Sequence, residues 1–423
     1  SGYRSVRGVD VQHSDASSGL PIPAAASKDG GGSSNWAFLA PSIWLGTSGV
    51  NFHDPSNWNP PGVPDATRRV VVESANAMVI TGAVTVLDLS VGGGVGAASA
   101  TVNAPLTVIE NIVLLNNGTL ALNQPCVVSN DLDVLAGGTL THSGPQNPDT
   151  NKLNVTVCGN VVVDTNGVVD VTAKGYAANT GIGYYGSHGG RGTIGPGACY
   201  GWILTPTNLG SGGNGDPGGG AILLKVSGAI RNNGLMCADG YASSRSGAGG
   251  SIFLVSGTLS GGGTIRANGG SVNPGGGGRV ALVVTNAGAD FSLYTGPILA
   301  QGPGNAGSGT IYKQRASDPP GWGTVLVLNG GNGYTEVPPN PPNVTNEVEF
   351  TTFYVTNSAR LRLTNDFLIG NIFMQSSNAW LDLGSNTLWV KSRAHALGPG
   401  FVTNYGAIVW CPDIPKGVVF SVW

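Results

Sequence analysis

Aspartates at short spacing are the residues of this chain that are best suited to catalysis or to cation binding. Asp131 and Asp133 are two residues apart in SNDLDVL, and Asp164 and Asp170 bound the stretch DTNGVVD. Paired carboxylates act as acid and base in glycoside hydrolysis, and closely spaced Asp and Asn oxygens suit Ca²⁺. The first pair lacks a partner at the equivalent positions of the neighbouring 20-residue coil, and the second stretch lacks the bidentate Glu of a calcium loop. We predict no catalytic residue and no metal site, and Ca²⁺ stays open as the single cofactor.

The histidines and cysteines carry no recognisable catalytic spacing. The dispersed histidines are His13, His53, His142, His188 and His395. Neither GxSxG nor GxxxxGK[ST] occurs, so the Gly-rich stretches are not expected to present a nucleophile or to cradle phosphate. The cysteines lack CxxC spacing, which argues against zinc. Cys126 and Cys158 fit buried reduced thiols, whereas a link between Cys199 and Cys237 is left open.

A Gly-rich insertion at residues 176–220 carries the remaining candidate site. It interrupts the strand pattern, and long insertions on repetitive folds commonly form a working surface. Its candidate binding residues are Tyr184, Tyr185, His188, Tyr200 and Trp202. These side chains predict a face that binds glycans or a partner, and the alternative is an ordered loop that shields the core.

Any such site depends on a repeat that runs along the chain. Two segments recur after about 29 residues and others after about 20, and each is a short apolar run bounded by Gly, Ser or Asn. The stretches that match are 226–228 with 255–257, 238–240 with 267–269, 118–122 with 138–142 and then 167–171, and 359–363 with 379–383. The runs are too short for helices, so they predict strands.

A period of about 20 to 30 residues built from strands and turns is typical of one coil of a parallel β-solenoid. The alternation predicts inward-facing Leu361, Leu363, Leu381 and Leu383, with Arg360 stacked on Trp380 and Arg362 on Asp382 outside. The predicted fold is all-β: a right-handed parallel β-helix (β-solenoid) with an N-terminal extended arm and cap.

The composition changes predict four parts. Residues 1–40 form an extended arm, which either docks on a neighbouring subunit or is a tail, and 41–72 form the cap. Residues 73–316 form the β-solenoid with its insertion at 176–220, and 317–423 form a second solenoid section and a C-terminal strand. The predicted assembly contacts in that strand are Val418, Val419, Phe420, Val422 and Trp423.

The composition also restricts the partners. Only 10% of the 423 residues are charged, the net charge is −3, and there are 70 glycines. Low charge suits stacked strands, because like charges would otherwise lie about 4.8 Å apart. Without a basic block or a long apolar run, we predict no nucleic-acid partner and no membrane span.

Two groups of residues resemble a known class of protein. An Asn-Trp and a Gly-Val-Pro turn precede strand-like repeats, in Asn57-Trp58, Gly62-Val63-Pro64, Val79-Ile80, Val84-Thr85-Val86 and Leu89-Ser90-Val91-Gly92-Gly93. This order resembles the β-helical modules of large secreted and autotransporter-like bacterial surface proteins. Residues 181–284, with GGGAILLKVSG and GGGGRVALVV, look like the Gly-rich coils of secreted bacterial β-helix proteins. The resemblance implies architecture and an extracellular or cell-surface location.

The functional prediction follows from these features. We expect a secreted structural protein of the bacterial cell surface or extracellular matrix, not an enzyme, that self-associates into a homopolymeric filament. The alternative is an adhesin that binds extracellular glycans or another partner. A second alternative is a polysaccharide lyase or glycoside hydrolase on a β-helix.

Overall fold

The computed structural model describes residues 6–7, 10–13, 22–25, 28–31, 34, 36–37, 41–193, 195, 197–328, 332–338, 346–392 and 397–410. Within these ranges the chain is all-β, with short strands, one 3₁₀ turn at Pro55–Asn57 and no α-helix. No helix in this part of the chain is long and apolar enough to cross a membrane. The prediction of an all-β chain is confirmed.

The strands are numbered in chain order. The first forty residues contain β1 (Val6–Arg7), β2 (Asp10–Gln12), β3 (Ile22–Ala25), β4 (Lys28–Gly31) and β5 (Trp36–Ala37). The next group is β6 (Ser42–Trp44), β7 (Trp58–Asn59), β8 (Arg69–Val72), β9 (Met78–Ile80), β10 (Val84–Val86), β11 (Asp88–Val91), β12 (Ala98–Val102), β13 (Leu106–Val108), β14 (Ile112–Leu114), β15 (Gly118–Leu122), β16 (Cys126–Val128), β17 (Leu132–Val134), β18 (Thr139–Thr141), β19 (Leu153–Val157), β20 (Val161–Val163) and β21 (Val168–Asp170). After the insertion come β22 (Ala221–Val226), β23 (Ala229–Asn232), β24 (Leu235–Cys237), β25 (Ser251–Ser256), β26 (Thr258–Ser260), β27 (Thr264–Arg266), β28 (Arg279–Val284), β29 (Ile298–Leu299) and β30 (Thr310–Gln314). The last group is β31 (Thr324–Val327), β32 (Thr335–Val337), β33 (Thr352–Val355), β34 (Arg360–Leu363), β35 (Phe367–Ile369), β36 (Asn371–Met374), β37 (Trp380–Asp382), β38 (Thr387–Val390), β39 (Phe401–Thr403) and β40 (Ala407–Trp410).

Strands β8 to β29 build three long parallel sheets, because each strand from β8 to β25 pairs with the strand three places later, while β27 pairs with β29 and β28 with β30. Sheet 1 begins β10-β13-β16-β19-β22-β25-β28, sheet 2 contains β8-β11-β14-β17-β20-β23-β26, and sheet 3 runs from β9 through β12 to β27 and β29. The chain thus visits the sheets in a fixed rotation. We call this part, from β6 to β30, the first stack.

The repeats predicted from sequence are confirmed as strand pairs, with one shift of register. Thr119 pairs with Thr139, and Thr139 pairs with Val168. In sheet 1, however, Val255 pairs with Lys225 and not with Val226. The spacing is therefore 30 residues in β22–β25 but 29 in β23–β26 and β24–β27, because the turn after β22 is one residue longer than the turn after β25.

Alternate side chains of every strand fill a continuous interior, the first core. Val, Leu and Ile dominate it, and many are wholly buried, as at Leu120, Leu140 and Val169. At the β6–β7 end of sheet 2, Trp44, Phe52 and Trp58 are each 1% exposed, and the Trp58 ring centroid lies 5.0 Å from those of Trp44 and Phe52 in edge contacts, while their role as a cap stays a prediction. The Trp58 indole nitrogen donates to the Phe52 carbonyl oxygen at 2.8 Å.

The first forty residues pair among themselves in the backbone that is described. Strands β1, β3 and β5 form one parallel sheet, and β2 and β4 form another. These residues therefore contain paired strands, while docking of this segment on a neighbouring subunit stays a prediction.

The direction of the chain reverses at β31. Strands β30 and β31 pair antiparallel, with Ile311 opposite Leu326 and Tyr312 opposite Val325, and β33 and β36 then extend sheet 1 parallel to β31. Sheets 4 (β32-β34-β37-β39) and 5 (β35-β38-β40) complete this second stack, from β31 to β40. The reversal lies within the predicted second section, shortly after its start at residue 317.

The second stack has its own core, which lies on the opposite face of sheet 1. Val280, Leu282 and Ile311 face the first core, whereas Ala281 and Tyr312 pack in the second core with side chains of β31 and β33. One side-chain row shows the change. Asn154 is exposed, Leu223 and Phe253 are half-buried, and Ala281, Tyr312 and Val325 are buried, although all six are paired in register.

The stacking predicted in the second stack is confirmed. Leu361, Leu363, Leu381 and Leu383 are each at most 3% exposed. The Arg362 Nε lies 2.9 Å from the Asp382 Oδ2, and the Arg360 guanidinium carbon lies 4.8 Å from the centre of the Trp380 ring. Asp382 is nevertheless only 2% exposed, because Arg362 and Asn404 bond to it.

Because sheet 1 is shared by both stacks, a new charge should destabilise the protein by different amounts at different positions of the same side-chain row. Ala281→Asp should lower the free energy of unfolding by about 3 kcal/mol or more, because the carboxylate would be buried without a partner. Asn154→Asp, in the exposed part of the same row, should change it by less than about 0.5 kcal/mol. Urea unfolding followed by circular dichroism measures both, and equal effects would contradict burial of both faces.

Candidate functional site

A layer of glycine backbone connects the insertion to the first stack. The strands β22, β25, β28 and β30 each follow a Gly-rich stretch, at 218–220, 247–250, 275–278 and 307–309. These stretches are buried, and Gly219 N donates to Ala248 O at 2.9 Å, Gly249 N to Gly276 O at 3.0 Å and Gly277 N to Gly307 O at 2.9 Å. We call them, together with 189–190 and 210–213 of the insertion, the glycine layer.

The insertion extends this layer through its own backbone. Gly189 N and Gly190 N donate to the Gly277 carbonyl at 3.0 and 2.9 Å, and Gly210 N donates to Gly219 O at 2.9 Å. A Cβ on Gly190 would overlap the carbonyl oxygen of Gly307. The φ angle of Gly190 is not positive, so close approach is what requires glycine there.

The structure separates the predicted aromatic site. Tyr184 and Tyr185 are 55% and 36% exposed with ring centroids 6.3 Å apart, and Trp202 is half-buried. His188 and Tyr200 are instead interior residues, with ring centroids 4.7 Å apart. Only the two tyrosines of the five candidates are therefore well placed for contact from outside. The assembly contacts predicted at residues 418–423 lie outside the described residues.

His188 and Tyr200 are held by carbonyl groups of the layer and the insertion. The His188 Nδ1 lies 2.8 Å from Gly249 O, so this nitrogen carries the proton and donates it. The Tyr200 hydroxyl donates to Leu209 O at 2.6 Å. Burial, together with the nearby Arg279 cation, lowers the pKa of His188 to about 3, and burial raises the pKa of Tyr200 well above its usual range. Both side chains are neutral at physiological pH.

Two carboxylates of the second stack, the buried Glu336 and the half-buried Glu347, hold the insertion from its other side. Glu336 accepts from Arg191 Nε at 2.5 Å and from Cys199 N at 3.0 Å. Glu347 accepts from the backbone N–H groups of Ile203 and Leu204 at 2.6 and 3.1 Å. Burial raises the pKa of Glu347, although the two amide donors partly oppose this effect. The insertion is therefore a brace between the two stacks.

Arg279 is the wholly buried cation beneath this brace. Its Nε donates to Tyr200 O at 2.9 Å, and its Nη1 donates to the Thr310 hydroxyl at 3.1 Å. Burial lowers its pKa, and the carboxylates of Glu347 and Glu336 act in the opposite direction. Arg279, Glu336 and Glu347 were not among the residues predicted from the sequence. A signal was present only for Arg279, which begins the apolar strand RVALVV directly after four glycines.

Three of the four aspartates considered for catalysis or cation binding, Asp131, Asp164 and Asp170, serve turns, while Asp133 lies within β17. Asp131 Oδ1 accepts from Asn160 N at 2.6 Å, and Asn160 Oδ1 accepts from Ala229 N at 2.9 Å, so these side chains link equivalent turns of successive repeats. Asp164 and Asp170 accept from the N–H groups of nearby threonines. No group of three or more His, Cys, Asp or Glu in the described ranges is arranged to hold a metal ion.

The described cysteines are free thiols. Cys126, Cys199 and Cys237 are buried, and burial raises their pKa values to about 12, 12 and 11. The link between Cys199 and Cys237 that the sequence left open is not formed. Cys158, which the sequence placed in the interior, is exposed, because it follows the last residue of β19.

Comparison with known protein families, with curated proteins and with solved structures found no match.

The close approach of Gly190 to the Gly307 carbonyl predicts that a side chain at position 190 destabilises the protein. Gly190→Ala should destabilise the protein by about 2 kcal/mol and speed amide hydrogen exchange in the insertion, because the new methyl group displaces the Gly307 carbonyl. Gly262→Ala is the control, since the nearest atom to its Cβ would be Thr295 Oγ1 at 3.5 Å. Exchange measured by mass spectrometry should change only in the first variant, and an unchanged insertion would contradict the packed layer.

Burial of His188 predicts a pH dependence with a definite sign. Its pKa is about 3 in the folded protein against 6.5 for an exposed histidine, so the unfolded chain takes up the proton first as the pH falls. The contribution of His188 to the free energy of unfolding is at its maximum above pH 6.5. Below that pH it decreases by about 1.4 kcal/mol per pH unit, which amounts to roughly 2 kcal/mol at pH 5. His188→Asn should remove this loss. Urea unfolding at pH 7 and 5 tests it, and an identical pH dependence in both proteins would contradict it.

Proposed function

We propose that each stack is a right-handed parallel β-solenoid and that the protein is an extracellular structural protein of a bacterial surface or matrix. Three features support the solenoid. Each stack is built from three sheets, its strands pair in parallel with equivalent strands two or three places on, and alternate side chains fill one interior. Parallel β crossovers are right-handed in nearly all proteins, which supports the handedness.

The junction is compatible with two solenoids of the same hand. At β31 the strand direction reverses, and the core moves to the other face of sheet 1. A half-turn of the repeat about the stacking axis produces both of these changes. Because a rotation preserves handedness, the second solenoid can have the same hand as the first. Eleven strands of sheet 1 then form one continuous wall about 48 Å long.

A structural role accounts for where the polar groups lie. Asp131, Asp164 and Asp170 bond to turn amides, and Glu336 and Glu347 hold the insertion. Groups that are saturated by backbone donors in this way stabilise a rigid body and are poorly placed to act on a substrate. The extracellular location rests on the resemblance to secreted β-helix modules and on the low charge.

One observation carries the proposal of self-association. The inward row of sheet 4 runs from Thr335 to Leu361, Leu381 and Val402, and the last three are 2%, 0% and 42% exposed. Phe401 and Tyr405 beside it are also exposed, at 53% and 101%. An apolar row that ends open to solvent at the edge of a sheet favours pairing with another chain. We propose that β39 of one chain contacts a different surface of the next, because such head-to-tail contacts extend the solenoid into a filament.

An adhesin is the second candidate. The exposed ring pair of Tyr184 and Tyr185 favours it, because exposed tyrosines combine an apolar face with a polar group and are common in recognition surfaces.

Charge at the open end should prevent assembly. We expect the intact chain to form filaments in negative-stain electron microscopy and Val402→Lys to give short particles, because a lysine desolvated at the contact is costly. Val127→Lys is the matched control, since Val127 is 40% exposed on the side of the first stack and should leave filaments intact.

A chain lacking residues 1–40 and 418–423 tests the sequence-predicted contacts in the same experiment. Filaments from Val402→Lys as abundant as those from Val127→Lys, or discrete rods from the intact chain, would contradict assembly at β39.

A further inference from the structure

A shallow cleft lies where the first stack meets the outer face of sheet 4. Its volume is about 340 Å³, and its lining is polar except for one aromatic ring. The lining residues are Gly304, Asn305, Asn332, Ser358, Arg360, Asn378 and Trp380. No residue of the aromatic site predicted from sequence contributes to it.

The polar groups of the cleft are fixed by one another. Asn332 Nδ2 donates to Asn305 Oδ1 at 3.0 Å, and Arg360 Nη2 donates to Asn332 Oδ1 at 3.2 Å. On the other side, Asn378 Nδ2 donates to Ser358 Oγ at 2.7 Å, and Ser358 N donates to Asn378 Oδ1 at 3.2 Å. The second pair stabilises Ser358 at a φ of 64°, which is unusual for serine. The donors are therefore positioned before any ligand arrives.

Arg360 is the distinctive group in this lining. It lies over the Trp380 ring, and no described carboxylate lies within 4.0 Å of its guanidinium nitrogens. Arg362, two residues later on the same face, is paired with Asp382 and lies over Tyr334. One of two neighbouring arginines thus has an anionic partner within the protein, while the other faces a polar cleft.

We propose that this cleft binds an acidic saccharide, with a uronic-acid carboxylate on Arg360. The planar guanidinium suits a carboxylate because it offers parallel donors. The amides of Asn305, Asn332 and Asn378 exchange hydrogen bonds with sugar hydroxyl groups, and the partly exposed Trp380 provides an apolar wall for the ring carbons. The proposed site does not require filament assembly. It would also suit a matrix protein, since such a protein could hold an acidic polysaccharide through this cleft.

The test is calorimetric titration of the purified full chain with trigalacturonate and with neutral maltotriose, at low salt. We expect trigalacturonate to bind and maltotriose to bind at least about tenfold more weakly. Arg360→Ala should weaken trigalacturonate binding by about tenfold or more, since a hydrogen bond between two charged groups is lost. Arg360→Lys should give an intermediate loss, because it keeps the charge and loses the planar donors.

Two further variants separate binding from folding. Arg231→Ala removes an exposed arginine of sheet 2 and should leave the affinity unchanged. Asn332→Ala removes an exposed partner of Arg360, so it should weaken binding even if Arg360→Ala fails to fold. Absence of trigalacturonate binding, equal binding of maltotriose, or unchanged affinity in folded Arg360→Ala or Asn332→Ala would each overturn the proposal.

Discussion

In-register pairing of each strand with its equivalent in the next repeat is the constraint on which the rest of the structure depends. It places every side chain about 4.8 Å from its equivalent in the next repeat. Apolar side chains stacked in this way fill a core continuously, whereas stacked like charges would repel each other. The low charge of the chain follows from this constraint. So does the bond from the Asn160 amide to Asp131 in the preceding repeat, because an amide can bond to the next repeat without repulsion.

The same constraint explains how two stacks share one wall. A row such as Asn154, Phe253, Ala281 and Val325 stays in register while its surroundings change from solvent to the second core. Sheet 1 is thereby buried on both faces around β28 and β30. The insertion strengthens the junction, since Glu336 and Glu347 of the second stack hold Arg191 and the amides after Tyr200. The proposed saccharide cleft lies beside this junction, where Asn305 and Asn332 meet Arg360.

The fold was predictable where side-chain alternation alone decides burial. Leu361 and Leu381 face inward and Arg362 pairs with Asp382 as the sequence indicated, because a period of two fixes the face of each residue. Ala281 could not be assigned, since alternation gives its face of the sheet but not what covers that face. The prediction that His188 and Tyr200 belong to a binding surface was wrong. Polar aromatic side chains occur on binding surfaces and also in protein interiors where their polar atoms are hydrogen-bonded, and the sequence does not distinguish the two. The cleft residues are separated by up to 76 positions between Gly304 and Trp380, and only the reversal at β31 brings them together.

Amide hydrogen exchange of the shared strands tests most directly whether the two stacks form one body with a common wall. If sheet 1 is buried on both faces, amides of β28, β30 and β31 should exchange as slowly as those of β14 and β17 in the middle of the first stack, and they should open together with them as denaturant is added. Exchange at β30 and β31 that is faster by orders of magnitude, with separate opening of the two stacks, would show that the reversal is a hinge and would contradict a shared wall.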